Sequence, residues 1–257
     1  MSGILQTPEF FRAKEEQAAY AIGRHLLIST FFNGGVAIGM RFDPRRNVPL
    51  QWIKLIVPHI LVVGWGEYSH FETVSGYIVQ EAQRLTDCVG ENYVTLPAIS
   101  KILSPFFKKE FEVAIPYSLD ILLIDVKDYK LRLLGFKSDL TLLHSFGALG
   151  GYPYVDENEW EKVIKKGNPA ESAEIDSELR NLAMNLKFPR KLAIAHLDKK
   201  FKSREILENK KEAIDLVKET LFKFDPPSKK ELFNLVSYEP EGDKGKLESK
   251  IEIRKTK

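Results

Sequence analysis

The sequence predicts an α+β fold, a four-layer α-β-β-α sandwich in which helices cover the outer faces of two stacked sheets. Three observations lead there. Strand-like apolar runs fall into two groups along the chain, and helical segments follow each group. Apolar faces of sheets and helices must be buried against one another, and layers are the stable way to do it. The chain has 257 residues of which 44% are hydrophobic, enough for one large core, so residues 1–257 read as a single domain.

Residues 7–23 open with Thr7 as an N-cap and Pro8 at the first helical position, which predicts an initial helix. From Arg24 the run is β-branched, aromatic and aliphatic around Gly34-Gly35, the signature of a hairpin whose tip needs positive φ. The stretch LQWIKLIVPHILVVGWG, interrupted by Pro58, reads as two more paired strands. The period then changes. Phe71, Val74, Ile78, Ala82 and Leu85 recur at three- and four-residue spacing and give a helix one apolar face. LPAISKILSPFF repeats that pattern, with Pro105 as a kink or a stop.

Three strand-like runs follow, LDILLIDV, YKLRLLGF and LTLLHSFG. Beyond Gly151 the chain is helical and charged, through DENEWEKVIKK, SELRNLAMNLKF, PRKLAIAHLDKKF and REILENKKEAIDLVKETLFKF. The charges of the last of these, at i,i+3 and i,i+4, suit a solvent-facing surface. KELFNLVSYEP and KLESKIEIRK form a final strand pair joined by a polar glycine turn, with a flexible lysine-rich tail.

Charge and composition narrow the function classes. A net charge of +2 argues against a general nucleic-acid or membrane-surface role, which needs a strongly basic face. A single cysteine, Cys88, can form neither an internal disulfide nor a cysteine metal cluster. No apolar run reaches the roughly 20 residues of a membrane helix, and the N-terminus lacks a basic region followed by an apolar one. The expectation is a cytoplasmic protein.

Few residues suggest chemistry. Ser29 and Thr30 lie inside an apolar run and read as half-buried strand residues rather than nucleophiles. Cys88, near the end of an amphipathic helix, reads as a small buried hydrophobe. The five histidines, His25, His59, His70, His144 and His196, show no metal-binding spacing, so neither a metal nor a cofactor is expected. Asp120 and Asp125 fall on opposite faces of their strand and read as solvent-facing strand ends. Arg45 and Arg46 could bind an anion or a partner carboxylate, although a solvated loop explains them as well.

The initial helix, AYAIGRHLL, NGGVAIGM, and PLQW followed by Gly66 and a helix together resemble proteasome subunits, and the helix before the first strand points to the α type, closest to bacterial α subunits. The ordered series carries the likeness, over residues 1 to about 145 and more loosely at the C-terminal hairpin. One segment departs: about 168–202 holds more helical pattern than the family has there, and reads as an insertion or as a longer helix bent at Pro189.

The resemblance implies the Ntn-hydrolase-like sandwich and a non-catalytic ring subunit. Catalytic relatives use a threonine nucleophile with an aspartate and a lysine; the matching positions here hold His25, Arg41 and Trp52, none of which can do that work. The implied partners are a homo-oligomeric ring, heptameric in the family, catalytic β-type subunits, and a ring-shaped ATPase or other activator. Ser2, Gly3, Ile4, Leu5 and Gln6 would form the gate, and Phe10, Phe11 and Tyr20 would line the ring interface. Activator docking in the family uses a lysine at the position of Trp52 beside the glycine matched by Gly66. An indole cannot replace an ammonium, so Lys54, two residues on along the strand, is the best substitute for a carboxylate contact. Alternatively Trp52 simply fills core or interface space and no such activator exists. Two other readings remain: an active Ntn-type threonine or serine hydrolase of the same fold, and a monomeric α/β binding protein.

Overall fold

A computed structural model describes residues 26–42, 52–66, 68–107, 119–135, 138–144, 146–150, 189–201, 206–225, 232–241 and 245–253. Ten strands and four α-helices fall within them. They are β1 (Leu26–Phe32), β2 (Gly35–Phe42), β3 (Ile53–Val57), β4 (Ile60–Gly66), α1 (Tyr68–Val89), α2 (Leu96–Phe107), β5 (Leu119–Asp125), β6 (Lys130–Gly135), β7 (Ser138–His144), β8 (Phe146–Gly150), α3 (Pro189–Phe201), α4 (Lys210–Phe224), β9 (Leu232–Glu239) and β10 (Lys246–Ile253). The fold is mixed α+β with two antiparallel five-stranded sheets, ordered β10-β9-β2-β1-β8 and β3-β4-β5-β6-β7.

The predicted hairpin is β1–β2, with Phe32 opposite Gly35 and Asn33-Gly34 as its two-residue tip. The two glycines do different work. Gly34 sits at φ +89°, the left-handed region that a side chain disfavours. Gly35 is needed for space, because a Cβ there would lie 2.5 Å from the Tyr238 backbone oxygen. β1 lies inside its sheet, between β2 and β8, and is buried along its whole length, as a continuous apolar run predicts. The paired strands around Pro58 are β3 and β4, joined by a turn at Pro58-His59.

Each sheet carries helices. α3 and α4 bury Ala193, Leu197, Val217 and Leu221 together with Leu26 and Ile28 of β1 and Phe233 of β9. On the second sheet, Phe71, Val74, Ile78 and Ala82 of α1 are wholly buried and Leu85 partly so, the stripe that the spacing predicted. α2 continues to Phe107, so Pro105 is not a stop; it falls in the last turn, where its missing N–H leaves one carbonyl of the preceding turn without its helical partner. The two sheets also meet directly. Phe31 of β1 packs edge-on to Tyr129 of the β5–β6 turn with ring centroids 5.6 Å apart. The Tyr238 hydroxyl of β9 donates to the Pro58 carbonyl at 2.6 Å. A Cβ on Gly147 of β8 would lie 3.0 Å from Leu131 of β6.

The run LTLLHSFG is two strands rather than one. β7 pairs with β6 in one sheet, whereas β8, two residues later, pairs with β1 in the other. The C-terminal strand pair is β9–β10, in register from Glu239–Lys246 to Leu232–Ile253. Of the helical segments beyond Gly151, α3 and α4 are observed, and α3 begins at Pro189. The initial helix 7–23 and most of 168–202 lie outside the described residues.

Candidate functional site

The open end of the β1–β2 hairpin is where the resemblance would put catalysis. β1 begins at Leu26, opposite the region of Met40 and Arg41 at the far end of β2. The Leu26 N–H donates to Asp225 Oδ1 at 2.5 Å, and Arg41 Nη1 lies 3.6 Å from Asp225 Oδ2. Both side chains are sequestered, 9% exposed for Arg41 and 0% for Asp225. Asp225 directly follows α4, and its own N–H closes the helix on the Leu221 carbonyl. A carboxylate at the end of one helix thus ties together the first residue of β1 and the arginine of β2. This is a structural clamp: the cation is matched by a buried anion and offers no proton acceptor. Sequence reasoning missed Asp225, since nothing local links a residue between a helix and two prolines to Leu26.

Ser29 and Thr30 are wholly buried, more deeply than the half-burial expected. The Ser29 hydroxyl donates to the Gly147 carbonyl at 3.5 Å, on the side facing the second sheet, and that of Thr30 to the Ala213 carbonyl at 3.4 Å, under α4. Both hydroxyls are shut off from solvent and turned onto backbone carbonyls, the arrangement of buried strand residues.

At the second place singled out by the sequence, Trp52 is 4% exposed and sits in an aromatic cluster, with ring centroids 5.4 Å from Tyr68, 5.4 Å from Phe71 and 6.3 Å from Trp65. It fills core. Lys54 is half-buried on the same side, its Nζ 5.9 Å from the Phe71 ring centroid, a cation–π arrangement that leaves part of the side chain to water. Gly66 ends β4, opposite Leu119 of β5. The geometry therefore brings Trp52 and Lys54 together around Phe71, and the cation that reaches the surface there is Lys54.

Two expectations are corrected. Cys88 is exposed, because it falls in the last turn of α1, beyond the buried stripe that ends at Leu85. Asp125 is buried, 6% exposed, rather than solvent-facing. Its Oδ1 accepts the backbone N–H groups of Lys127 and Asp128 at 3.0 and 3.1 Å, so it shapes the β5–β6 turn. Burial is the largest influence on its carboxyl and holds the pKa above the usual range, against the opposing pull of those N–H groups and of His59. That turn ends on Tyr129 at φ 53°, whose hydroxyl accepts the Gly34 N–H at 3.1 Å and so pins the hairpin tip.

Among the described residues no group of three or more His, Cys, Asp and Glu side chains could hold a metal ion, and no helix is long and apolar enough to cross a membrane. Ser2 to Gln6, Phe10, Phe11, Tyr20, His25, Arg45 and Arg46 lie outside the described residues. The chain matches no protein-family model, and a search of curated proteins found no match.

Proposed function

We propose that this chain is a non-catalytic subunit of a proteasome-like protease: an α-type subunit with the four-layer Ntn-hydrolase architecture, assembled with its own copies into a ring that gates substrate access and docks an activator. The observation that carries the reading is the Arg41–Asp225–Leu26 clamp at the mouth of a glycine-tipped hairpin. In an active relative that mouth must hold a hydroxyl nucleophile, a proton acceptor and a cation within reach of one another. Here it is closed by a buried ion pair. The helices on each sheet and the direct contact between the sheets support the same architecture.

In this reading the ring stacks on catalytic β-type subunits in the cytoplasm, residues 2–6 close the pore, Phe10, Phe11 and Tyr20 lie between neighbours, and Lys54 meets an activator's carboxylate beside Trp52 and Gly66. The test is one preparation measured twice. Light scattering of the purified chain should give about seven times the monomer mass if the family's symmetry holds, and fluorogenic peptides should not be hydrolysed. A monomer, or turnover lost on Ser29→Ala or Thr30→Ala, overturns it.

A further inference from the structure

β10 is the edge of its sheet, paired with β9 on one side and with no strand on the other among the described residues. It is exposed almost along its whole length. Its alternate side chains form two rows. Lys246, Glu248, Lys250 and Glu252 alternate in sign on the face toward α4, where Glu248 and Glu252 meet Lys210 and Lys218. Leu247, Ile251 and Ile253 project from the opposite face, the side on which Val236 and Tyr238 of β9 enter the core, yet they are 40%, 55% and 64% exposed. An exposed edge strand carrying an apolar row is a template for another strand unless its charges forbid pairing.

Here the charges select a pairing. Set antiparallel to a copy of itself with Ser249 on the two-fold axis, β10 places Lys246 opposite the partner's Glu252, Glu248 opposite the partner's Lys250, and Leu247 opposite the partner's Ile251. Shifting by one face-preserving step in either direction puts Glu against Glu and Lys against Lys. In-register parallel pairing puts every charge against its like. Opposite charges across an antiparallel pair stabilise and like charges destabilise, and registers two steps away, centred on Leu247 or Ile251, oppose Lys to Glu over only a shorter stretch, so the register centred on Ser249 is the complementary one that pairs the whole strand. That register also pairs odd positions with odd and even with even. Whichever set of N–H and C=O groups points outward therefore meets its own kind, as an antiparallel ladder requires.

We propose that β10 is an isologous interface: two copies of the chain join edge to edge through β10, in the register centred on Ser249, so that one sheet runs continuously through both. The two-fold requires each contact to occur twice, which suits a self-complementary strand. The interface goes beyond the ring reading and does not depend on it, because a two-fold strand pair can link single chains or whole rings.

The test is a charge exchange read by sedimentation equilibrium on the full chain. Lys250→Glu sets acid against Glu248 on both sides of the axis, and Glu248→Lys sets base against Lys250. Each variant alone should sediment at half the mass of the unsubstituted protein, with an unchanged circular dichroism spectrum. An equimolar mixture of the two should return to the full mass, since each chain then complements the other. Lys250 is 74% exposed, so its substitution leaves the core alone. Halving is read equally whether the unit on each side of the axis is one chain or a ring, so the ring reading can fail while this one stands. Equal masses for the unsubstituted chain and both variants, or a mixture that stays at half mass, would overturn the proposal.

Discussion

Asp225 accepts from the Leu26 backbone and faces the Arg41 guanidinium, and it does so with no exposure to water. Removing one partner of a buried ion pair costs about 3–5 kcal/mol, because the remaining charge stays desolvated. Asp225→Ala should therefore lower stability by about that amount, read as a fall in the urea midpoint, whereas Asp225→Asn keeps an acceptor for Leu26 and should lose less. Asp125 shows the reverse balance. Its folded-state pKa is raised above the ordinary aspartate range, chiefly by burial, so the folded state favours the proton. The resulting penalty is absent below the unfolded pKa and complete once pH has risen through the raised folded value. Asp125→Asn retains the oxygen that accepts from Lys127 and Asp128 while removing the charge. It should raise the melting temperature at pH 7, and the gain should vanish near pH 3; a gain independent of pH would contradict the assignment. Tyr238 is a third case of burial acting on one residue, its phenol pushed up to about 12 while its hydroxyl holds Pro58.

At the scale of the element, the β1–β2 hairpin is fixed at its tip from two sides. Gly34 is bonded to Tyr129, and the Asn33 N–H donates to the Leu207 carbonyl at 2.9 Å. A tip held this firmly cannot relax around a new side chain. Gly34→Ala meets open space and bears only the left-handed backbone cost of about 1–2 kcal/mol. Gly35→Ala drives a methyl against the Phe32 ring and a backbone oxygen, and should reach or exceed the upper end of the roughly 1–3 kcal/mol typical of overpacking. Thermal unfolding of the two variants should rank Gly35→Ala as the less stable. α4 is similarly specified by local chemistry, with Asn209 Oδ1 accepting the Glu212 N–H as an N-cap and Ala213, Leu216, Val217, Thr220 and Leu221 forming its buried face.

For the whole molecule, the two helix-covered sheets bury most of their apolar residues within one chain, and β10 is an exception. The segment 7–23 is a second candidate for contact with other copies, since it carries Phe10, Phe11 and Tyr20. If the proposed ring forms, changing both Phe10 and Phe11 to Glu should convert it into smaller species in gel filtration, because two charges would be buried in an aromatic contact. A ring of unchanged size would remove this segment from the interface. The β10 exchange and this change act on different interfaces, so their effects on mass should combine independently.

The order and type of the elements were legible in the sequence because they follow from local rules. Period-two and period-3.6 apolar patterns marked β1 to β6, α1 and α2, and Gly34-Gly35 marked a turn that needs both a positive φ and room. What the sequence left open was decided by partners distant along the chain. β7 and β8 read as one strand, since a switch of sheets changes the neighbour and leaves the alternation almost intact. Asp225 carried no signal, because its contacts lie 199 residues away at Leu26 and beside Arg41. Asp125 looked like a solvated strand end until the turn folded over it, and Cys88 looked buried until the apolar stripe of α1 ended one turn before it. The sequence by itself therefore determined which segments are strands and helices and which faces are apolar. Only the tertiary structure decided which face meets which, and with it whether a charge is paired, a hydroxyl reaches water, or an edge strand is left open. Patterning is set within a few residues, whereas desolvation and pairing depend on everything the chain brings back to the same place.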